Sequence, residues 1–278
     1  MNRKRRRVLP LTEQRRRLIL ERLRVWGEVR TSELAGLFGV SAMTIRNDLN
    51  ALSAAGALKR THGGAVSNEP IAREPSYKDK EAQHSAEKAR IGRAAAREVG
   101  EGAVIFVGNG TTTMQLVRQL PHRERLAVFT NALNHAGALL ERPGVSVYVV
   151  GGYLRGVSYG MVGGLARRAL EGVFFDAAFV GVNGVSLEHG FTLPSLEEAE
   201  VMAEVVRRSR RTFVLADHSK FGVVTHARVT GLDGVDAVIT DRTPPAEFVR
   251  AFGELDVRLT VAEGGESEGE ATWLEDTA

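Results

Sequence analysis

Cysteine is absent from the 278 residues, which excludes disulfide staples, thiol nucleophiles and cysteine-ligated zinc. Long apolar runs are missing as well. A stretch such as AVIFV is far shorter than the roughly 20 residues that a membrane-spanning helix needs. The opening MNRKRRRVLPLT is basic but has no apolar stretch of a secretory signal, so a cytoplasmic location and no membrane partner are expected. Acidic residues are scarce at one end only. Residues 1–68 hold 14 lysines and arginines against 5 acidic residues, a net of +9, whereas 69–278 hold 23 against 29, a net of −6. One end is suited to a polyanion and the remainder is not. A disordered basic tail would explain Arg3 to Arg7. It would not explain why the excess runs through a patterned segment to Arg60.

What is present is ample for a core, with 43% hydrophobic and 26% charged residues. At roughly 150 residues per domain the length suggests two domains. Leu11 to Val25 carries apolar residues at Leu11, Leu18, Ile19, Leu23 and Val25 between arginines, the pattern of an amphipathic helix. Glu28-Val29-Arg30 is a short extended piece. Thr31 is placed to cap a second helix with Leu34, Ala35, Leu37 and Phe38 inward. Gly39 supplies the turn, and Ser41 caps a third helix whose Ile45, Leu49 and Leu52 form one stripe at i, i+4, i+7. The opposite face of that helix carries Ala42, Met43, Thr44, Arg46, Asn47 and Asn50.

Two helices joined by a short glycine turn make a helix-turn-helix, whose second helix can present such side chains, with Ser41, to base edges and phosphates. The segment ALKRTHGGAV reads as two short strands around a tight glycine turn, a basic wing carrying Lys59, Arg60 and His62. A plainer reading leaves Arg46 and Asp48 as surface helix pairs and caps. The run VSAMTIRNDLNALSAAGALKRTHGGAV (40–66) resembles the winged helix of the DeoR family of bacterial transcription regulators. That family has a "VS-x-x-T-I-R-x-D-L-x-x-L" helix followed by a "G-x-L-x-R-x-H-G-G-A" wing. Asn47 departs from it, standing where a second basic residue is common.

SNEPIAREPSY (67–77) has two prolines and little apolar periodicity, a linker pattern. From Glu81 to Val99 helical periodicity returns. Thereafter short apolar strands alternate with helical patterns: AVIFV, LAVFT, VSVYVV, VFFDAAFVGV, TFVLAD, VDAVITD and VRLTVA. This alternation predicts an α/β fold with a mostly parallel sheet covered on both faces. The expected organisation is a basic arm (1–11), a winged helix-turn-helix (12–67), a linker (68–80), a ligand-sensing α/β domain (81–262) and an acidic, disordered tail (263–278).

In such folds ligands sit at the carboxyl ends of the strands. Gly108-Asn109-Gly110-Thr111-Thr112-Thr113 joins a strand to a helix; converging amides, hydroxyls and the helix dipole suit a phosphate. It is neither a Walker loop nor a full dinucleotide fingerprint, and a capped strand-to-helix turn is the alternative. Asn131 and Arg155, at neighbouring strand ends, could bind sugar hydroxyls and a phosphate, or serve as a cap and a surface charge. Lys220, in DHSKF, could neutralise an anion or belong to an ordinary charged loop.

FVGNGTTT, TNALNHAGAL, VVGGYLR, FVGVNGVSLEHGFTLPSLEEAEV and LADHSKFG together resemble the DeoR effector domain, which is similar in fold to ribose-5-phosphate isomerase. With the wing, the resemblance spans about residues 12–260. It implies a phosphosugar site lined by Gly110, Thr111, Thr112, Thr113, Asn131, Gly152, Arg155 and Lys220, with Glu198 at the family's acidic position. Gly108-Asn109 departs from an acidic residue followed by a small one. Isomerisation needs a base, and the related enzymes carry carboxylates in the loop that here reads Gly181-Val182-Asn183-Gly184. Asp176 lies at the wrong end of its strand, leaving Asp217, Glu197 and Glu198.

The expected function is therefore a nucleoid-associated repressor of a sugar-catabolism operon, not an enzyme. It would bind double-stranded operator DNA as a homodimer or higher oligomer and be modulated by a phosphorylated sugar, with no cofactor and no metal. An active isomerase fused to a DNA-binding module, or a constitutive DNA-binding protein whose second domain only dimerises, are the alternatives.

Overall fold

The computed structural model describes residues 12–26, 28–61, 63–67, 74–120 and 125–262. The chain divides into two compact units, residues 1–75 and 76–278. The expected arm, the acidic tail, His62 and residues 68–73 of the expected linker lie outside the described residues.

The first unit runs α1 (Thr12–Trp26), β1 (Glu28–Arg30), α2 (Thr31–Phe38), α3 (Ala42–Ala54), β2 (Leu58–Thr61) and β3 (Gly64–Ser67). The strands form an antiparallel sheet in the order β1-β3-β2. Ile19, Leu23, Leu34, Ile45, Leu49, Leu52 and Leu58 make its core. Ser41 caps α3, its Oγ accepting from the Thr44 N–H at 3.1 Å. Gly39 takes the left-handed conformation (φ 65°) that ends α2.

Thr31, Leu37 and Leu18 differ from expectation. Thr31 is the first helical residue rather than the cap. Leu37 is 51% exposed and Leu18 is also exposed, so neither joins the core. Gly64 tolerates no side chain, because a Cβ there would lie 1.8 Å from the Val29 carbonyl oxygen; the wing glycine permits the backbone approach that pairs β3 with β1.

The second unit begins with α4 (Tyr77–Ala82) and α5 (Ser85–Arg97). The expected linker thus ends early: Ser76 and Asp79 form a capping box that starts α4 at Tyr77. There follow β4 (Val104–Val107), α6 (Thr111–Gln119), β5 (Leu126–Thr130), α7 (Leu133–Leu139), β6 (Val145–Val149), β7 (Tyr153–Arg155), β8 (Gly160–Val162) and α8 (Gly164–Ala169). The chain continues through β9 (Ala177–Gly181), β10 (Gly184–Ser186), β11 (Gly190–Leu193), α9 (Leu196–Arg207), β12 (Thr212–Leu215), β13 (Ala227–Thr230), β14 (Ala237–Thr240), α10 (Ala246–Glu254) and β15 (Arg258–Val261).

Seven of these strands form one parallel sheet, in the order β15-β14-β12-β9-β4-β5-β6. The apolar runs bury both faces, one against Ile91, Ala95, Leu116 and Val117 and the other against Val201, Met202, Val205 and Phe252. Asp176 sits at the amino end of β9, where its carboxylate accepts from the Val104 N–H at 2.9 Å. The hairpin β7-β8 and the antiparallel sheet β10-β11-β13 were not foreseen. Their strands are only three or four residues long, too short for a clear periodic signal, and β13 pairs with a strand more than 30 residues upstream.

Candidate functional site

The first site is the outer face of α3. Met43 (59% exposed), Arg46, Asn47 and Asn50 project to solvent, with Thr44 half-buried and Ser41 exposed at the cap. On the wing, Lys59 is exposed, whereas Arg60 is half-buried and donates through Nη1 to the Gly64 carbonyl at 2.8 Å. Arg60 therefore braces the wing turn besides adding charge. Asp48 is not a surface partner: it is 2% exposed and accepts from Arg15 Nε at 2.5 Å and Arg16 Nε at 2.9 Å. This pair ties α3 to α1 and so sets the angle at which the exposed face is presented. Donors at the start of a capped helix, beside a cationic strand, fit the major groove and flanking phosphates of duplex DNA.

The second site is a cleft in the second unit, at the carboxyl ends of β4 and β9. Asn109, Gly110, Thr111 and Thr112 form its floor, Gly181, Val182 and Asn183 one wall, and Lys220 another. Gly110 has φ 147°, which turns the chain sharply from β4 into α6 and puts the first turn of α6, with Thr111 and Thr112, at the cleft. Beneath that loop lies His135, fully buried and 3.2 Å from the Gly110 carbonyl through Nε2. Burial pushes its imidazole down to about 4, so it is neutral and donates to that carbonyl.

At the far end stands Glu198, buried, with its Oε1 accepting from Arg155 Nη1 at 2.6 Å, Asn109 Nδ2 at 3.3 Å and the Ser158 hydroxyl. Among the residues expected to bind ligand, the structure brings Gly110, Thr111, Thr112, Glu198 and Lys220 to the cleft. Arg155 sits behind, gripping Glu198. Three others lie behind the lining. Thr113 is fully buried and donates to the Gly110 carbonyl at 3.1 Å. Asn131 is fully buried, accepting from the Asn109 N–H at 2.8 Å and donating to Asn109 Oδ1 at 2.9 Å and the Met161 carbonyl at 3.3 Å. Gly152 packs against the Val162 carbonyl, 2.5 Å from where a Cβ would be. Asn131 and Thr113 thus shape the loop through internal bonds. Of the remaining carboxylates, Asp217 is fully buried and bonded to Ser219, and Glu197 is exposed and bonded to Ser195.

The sequence reading missed Tyr77, Lys80, His84 and Lys88, which enter the cleft from α4, α5 and the turn between them. A signal existed: Lys88 lies three and seven residues before Ile91 and Ala95, on the face that helical spacing marks as buried. Lys88 is 4% exposed, and its Nζ donates to the Lys80 carbonyl. Burial pushes its ammonium down to about 8, with Asp217 opposing and Lys220 and Lys80 reinforcing. Asp217 lies below the usual carboxylate range. Burial alone would raise it, but Lys220 (Nζ 3.9 Å away), Ser219 and His84 outweigh that. His84, edge-on to His218 at 4.9 Å, is lowered by burial. The outcome is a cationic corner facing a helix N-terminus, an arrangement matched to a phosphate dianion.

The position of Lys88 on the pH scale gives an expected result. If only its charged form holds a dianion, affinity for a phosphorylated ligand falls roughly tenfold between about pH 7 and 9, the loss following the protonated fraction of a group titrating near 8. Phosphate monoesters are already dianionic in that window. Lys88→Arg, which stays charged, should flatten the decline in titration calorimetry; equal slopes for both proteins would remove Lys88 from the site.

A winged helix with a DNA-directed face, followed by a parallel α/β body with an anion-suited cleft, defines the class of ligand-sensing DNA-binding regulators. Residues 15–71 match the DeoR-like helix-turn-helix domain and 83–242 the DeoR C terminal sensor domain. The chain belongs to the DeoR family of transcription regulators and binds DNA. It is 34% identical over 251 residues to a putative aga operon transcriptional repressor of Escherichia coli O157:H7, covering 89% of this chain and 93% of that one. It is 30% identical over 246 residues to the glycerol-3-phosphate regulon repressor of Escherichia coli K12, covering 88% and 97%. Among solved structures it is similar to a D-ribose-5-phosphate isomerase in complex with phospho-erythronic acid, at 15% identity and a TM-score of 0.37 over 48% of this chain and 52% of that one. Among the described residues no helix is long and apolar enough to cross a membrane.

Proposed function

We propose that this regulator is a repressor of a sugar-catabolism operon whose hold on operator DNA is modulated by a phosphorylated sugar or related catabolite. The observation that carries this reading is the cleft itself. Lys88, Lys220 and the Gly110–Thr112 turn line it together with Glu198, Ser158 and Asn183, which offer partners for hydroxyl groups. The relatives named for aga and glycerol-3-phosphate regulation support it by their printed roles. The phosphate is held as a charge and the hydroxyls by directed hydrogen bonds. Binding proceeds without turnover, because Asn183 has no basicity and the cleft carboxylate Glu198 is gripped by three donors. Two copies act together, since a single winged helix supplies too few contacts for operator affinity.

The reading is tested by thermal shift of the purified chain with matched pairs of phosphosugars and their dephosphorylated forms. Stabilisation by a phosphosugar alone is expected; no response across a broad panel would leave the second unit as a dimerisation module. Turnover of a phosphosugar would instead make it an enzyme.

The DNA face has its own test. Arg46→Ala should weaken operator binding by about 1–3 kcal/mol if Arg46 reads a base, or lower the salt slope by about one if it meets a phosphate. Ligand-induced thermal stabilisation should stay as in the parent. Unaltered operator affinity and salt slope would contradict the placement of α3.

A further inference from the structure

Tyr77 is the first helical residue of the second unit, reached from the wing through residues 68–76. Its backbone N–H donates to the Val157 carbonyl at 2.8 Å, and its ring stacks on Tyr159 at 4.9 Å and 28°. Between those two residues lies Ser158, whose hydroxyl donates to Glu198 inside the cleft. The turn Val157–Tyr159 therefore touches the cleft with its middle residue and the start of α4 with its outer two.

The turn is also held in an uncommon shape. Tyr159 adopts φ 60°, a left-handed conformation that a bulky residue keeps only under restraint. The Ser158 and Tyr159 N–H groups both donate to the Arg155 carbonyl, at 3.2 and 2.8 Å, and Arg155 itself binds Glu198. Anything that moves Glu198 acts on this turn through Arg155 and through Ser158. From the other side, α4 brings Tyr77 and Lys80 to the cleft, and Lys88 of α5 donates to the Lys80 carbonyl. A ligand spanning the cleft would press on α4 twice, through its anionic end at Lys80 and Lys88 and through its hydroxyl end at Glu198 and Ser158.

We propose that the Val157–Tyr159 turn and its joint with Tyr77 form the relay by which cleft occupancy is passed to the segment leading to the DNA-binding unit. This rests on the anion-sensing reading of the cleft. Ligand binding tightens the Tyr77 joint and restrains the chain where it enters the second unit. Tyr159 is thus a positioning residue that touches no ligand.

The test is amide hydrogen exchange on the full chain with and without inorganic phosphate. In the parent protein, phosphate should slow exchange at 110–114 and also at 76–82. Tyr159→Asn removes the ring while suiting φ 60°. It should keep phosphate affinity and the slowing at 110–114, but the slowing at 76–82 should shrink by about two- to tenfold, the range expected for losing an aromatic pair. Tyr159→Gly repeats the test should the asparagine variant fail to fold. Undiminished slowing at 76–82 in the Tyr159 variants would overturn the relay. So would slowing confined to 110–114 in the parent, while no slowing anywhere would overturn the relay and the sensing reading together.

Discussion

Asp48→Ala should unfold the DNA-binding unit under conditions in which the second unit stays folded. Removing that carboxylate takes from the buried Arg15 and the half-exposed Arg16 the anion they share. Breaking a buried pair by deleting one partner costs about 3–5 kcal/mol, against a total stability of about 5–15 kcal/mol for a domain. Urea unfolding followed by exchange at the amides of 12–66 should show the transition move far to lower denaturant, with operator binding lost and the response of 110–114 to phosphate intact. A variant as stable as the parent would show that the Arg15–Asp48 pair does not hold α1 to α3. The predicted loss exceeds that for Arg46→Ala because it removes the scaffold of the reading face rather than one contact on it.

Lys220→Met is the second large effect, placed on the cleft. A hydrogen bond to a charged group contributes about 1.5–3 kcal/mol, which is roughly a 10- to 150-fold loss of affinity for a phosphosugar. The same change removes the cation 3.9 Å from the buried Asp217 carboxylate. Asp217 then loses the largest influence holding it below the usual carboxylate range. Because its lowered value contributes stability that disappears as pH falls through its titration, the variant should also tolerate acid differently from the parent, with a smaller loss of stability between neutral and acidic pH. Calorimetric titration with a phosphosugar that stabilises the parent measures the first effect. An unchanged midpoint would take Lys220 out of the anion site, leaving Lys88 and the Gly110–Thr112 amides as its basis.

Much of the architecture was legible because it depends on short-range periodicity. The Ile45, Leu49, Leu52 stripe, the Ser41 cap and seven short apolar runs each announce an element within a few residues, and the strands assembled into one parallel sheet. The Gly110–Thr112 turn was legible for the same reason, since glycine and hydroxyl residues at a strand-to-helix junction carry their own meaning. Where partners are distant, the local signal misled. Asp48 reads as a surface charge beside Arg46 until α1 is laid over it, 33 residues away in sequence. Leu37 reads as core on spacing alone, yet it lies outside the small three-helix core and is half exposed. Asn131 reads as a ligand donor, yet Asn109, 22 residues upstream, takes up both of its polar ends.

The sequence by itself determined that a basic, groove-suited helix and wing precede an α/β body with an anion-suited turn, because periodicity, capping and charge are properties of neighbouring residues. Only the tertiary structure decided which side chains share the cleft. It turned Asn131 and Thr113 inward, brought Lys88 and Tyr77 in from a stretch that reads partly as linker, and set Tyr159 against Tyr77. Such choices follow from packing and the pairing of buried polar groups, which join residues that no local pattern connects.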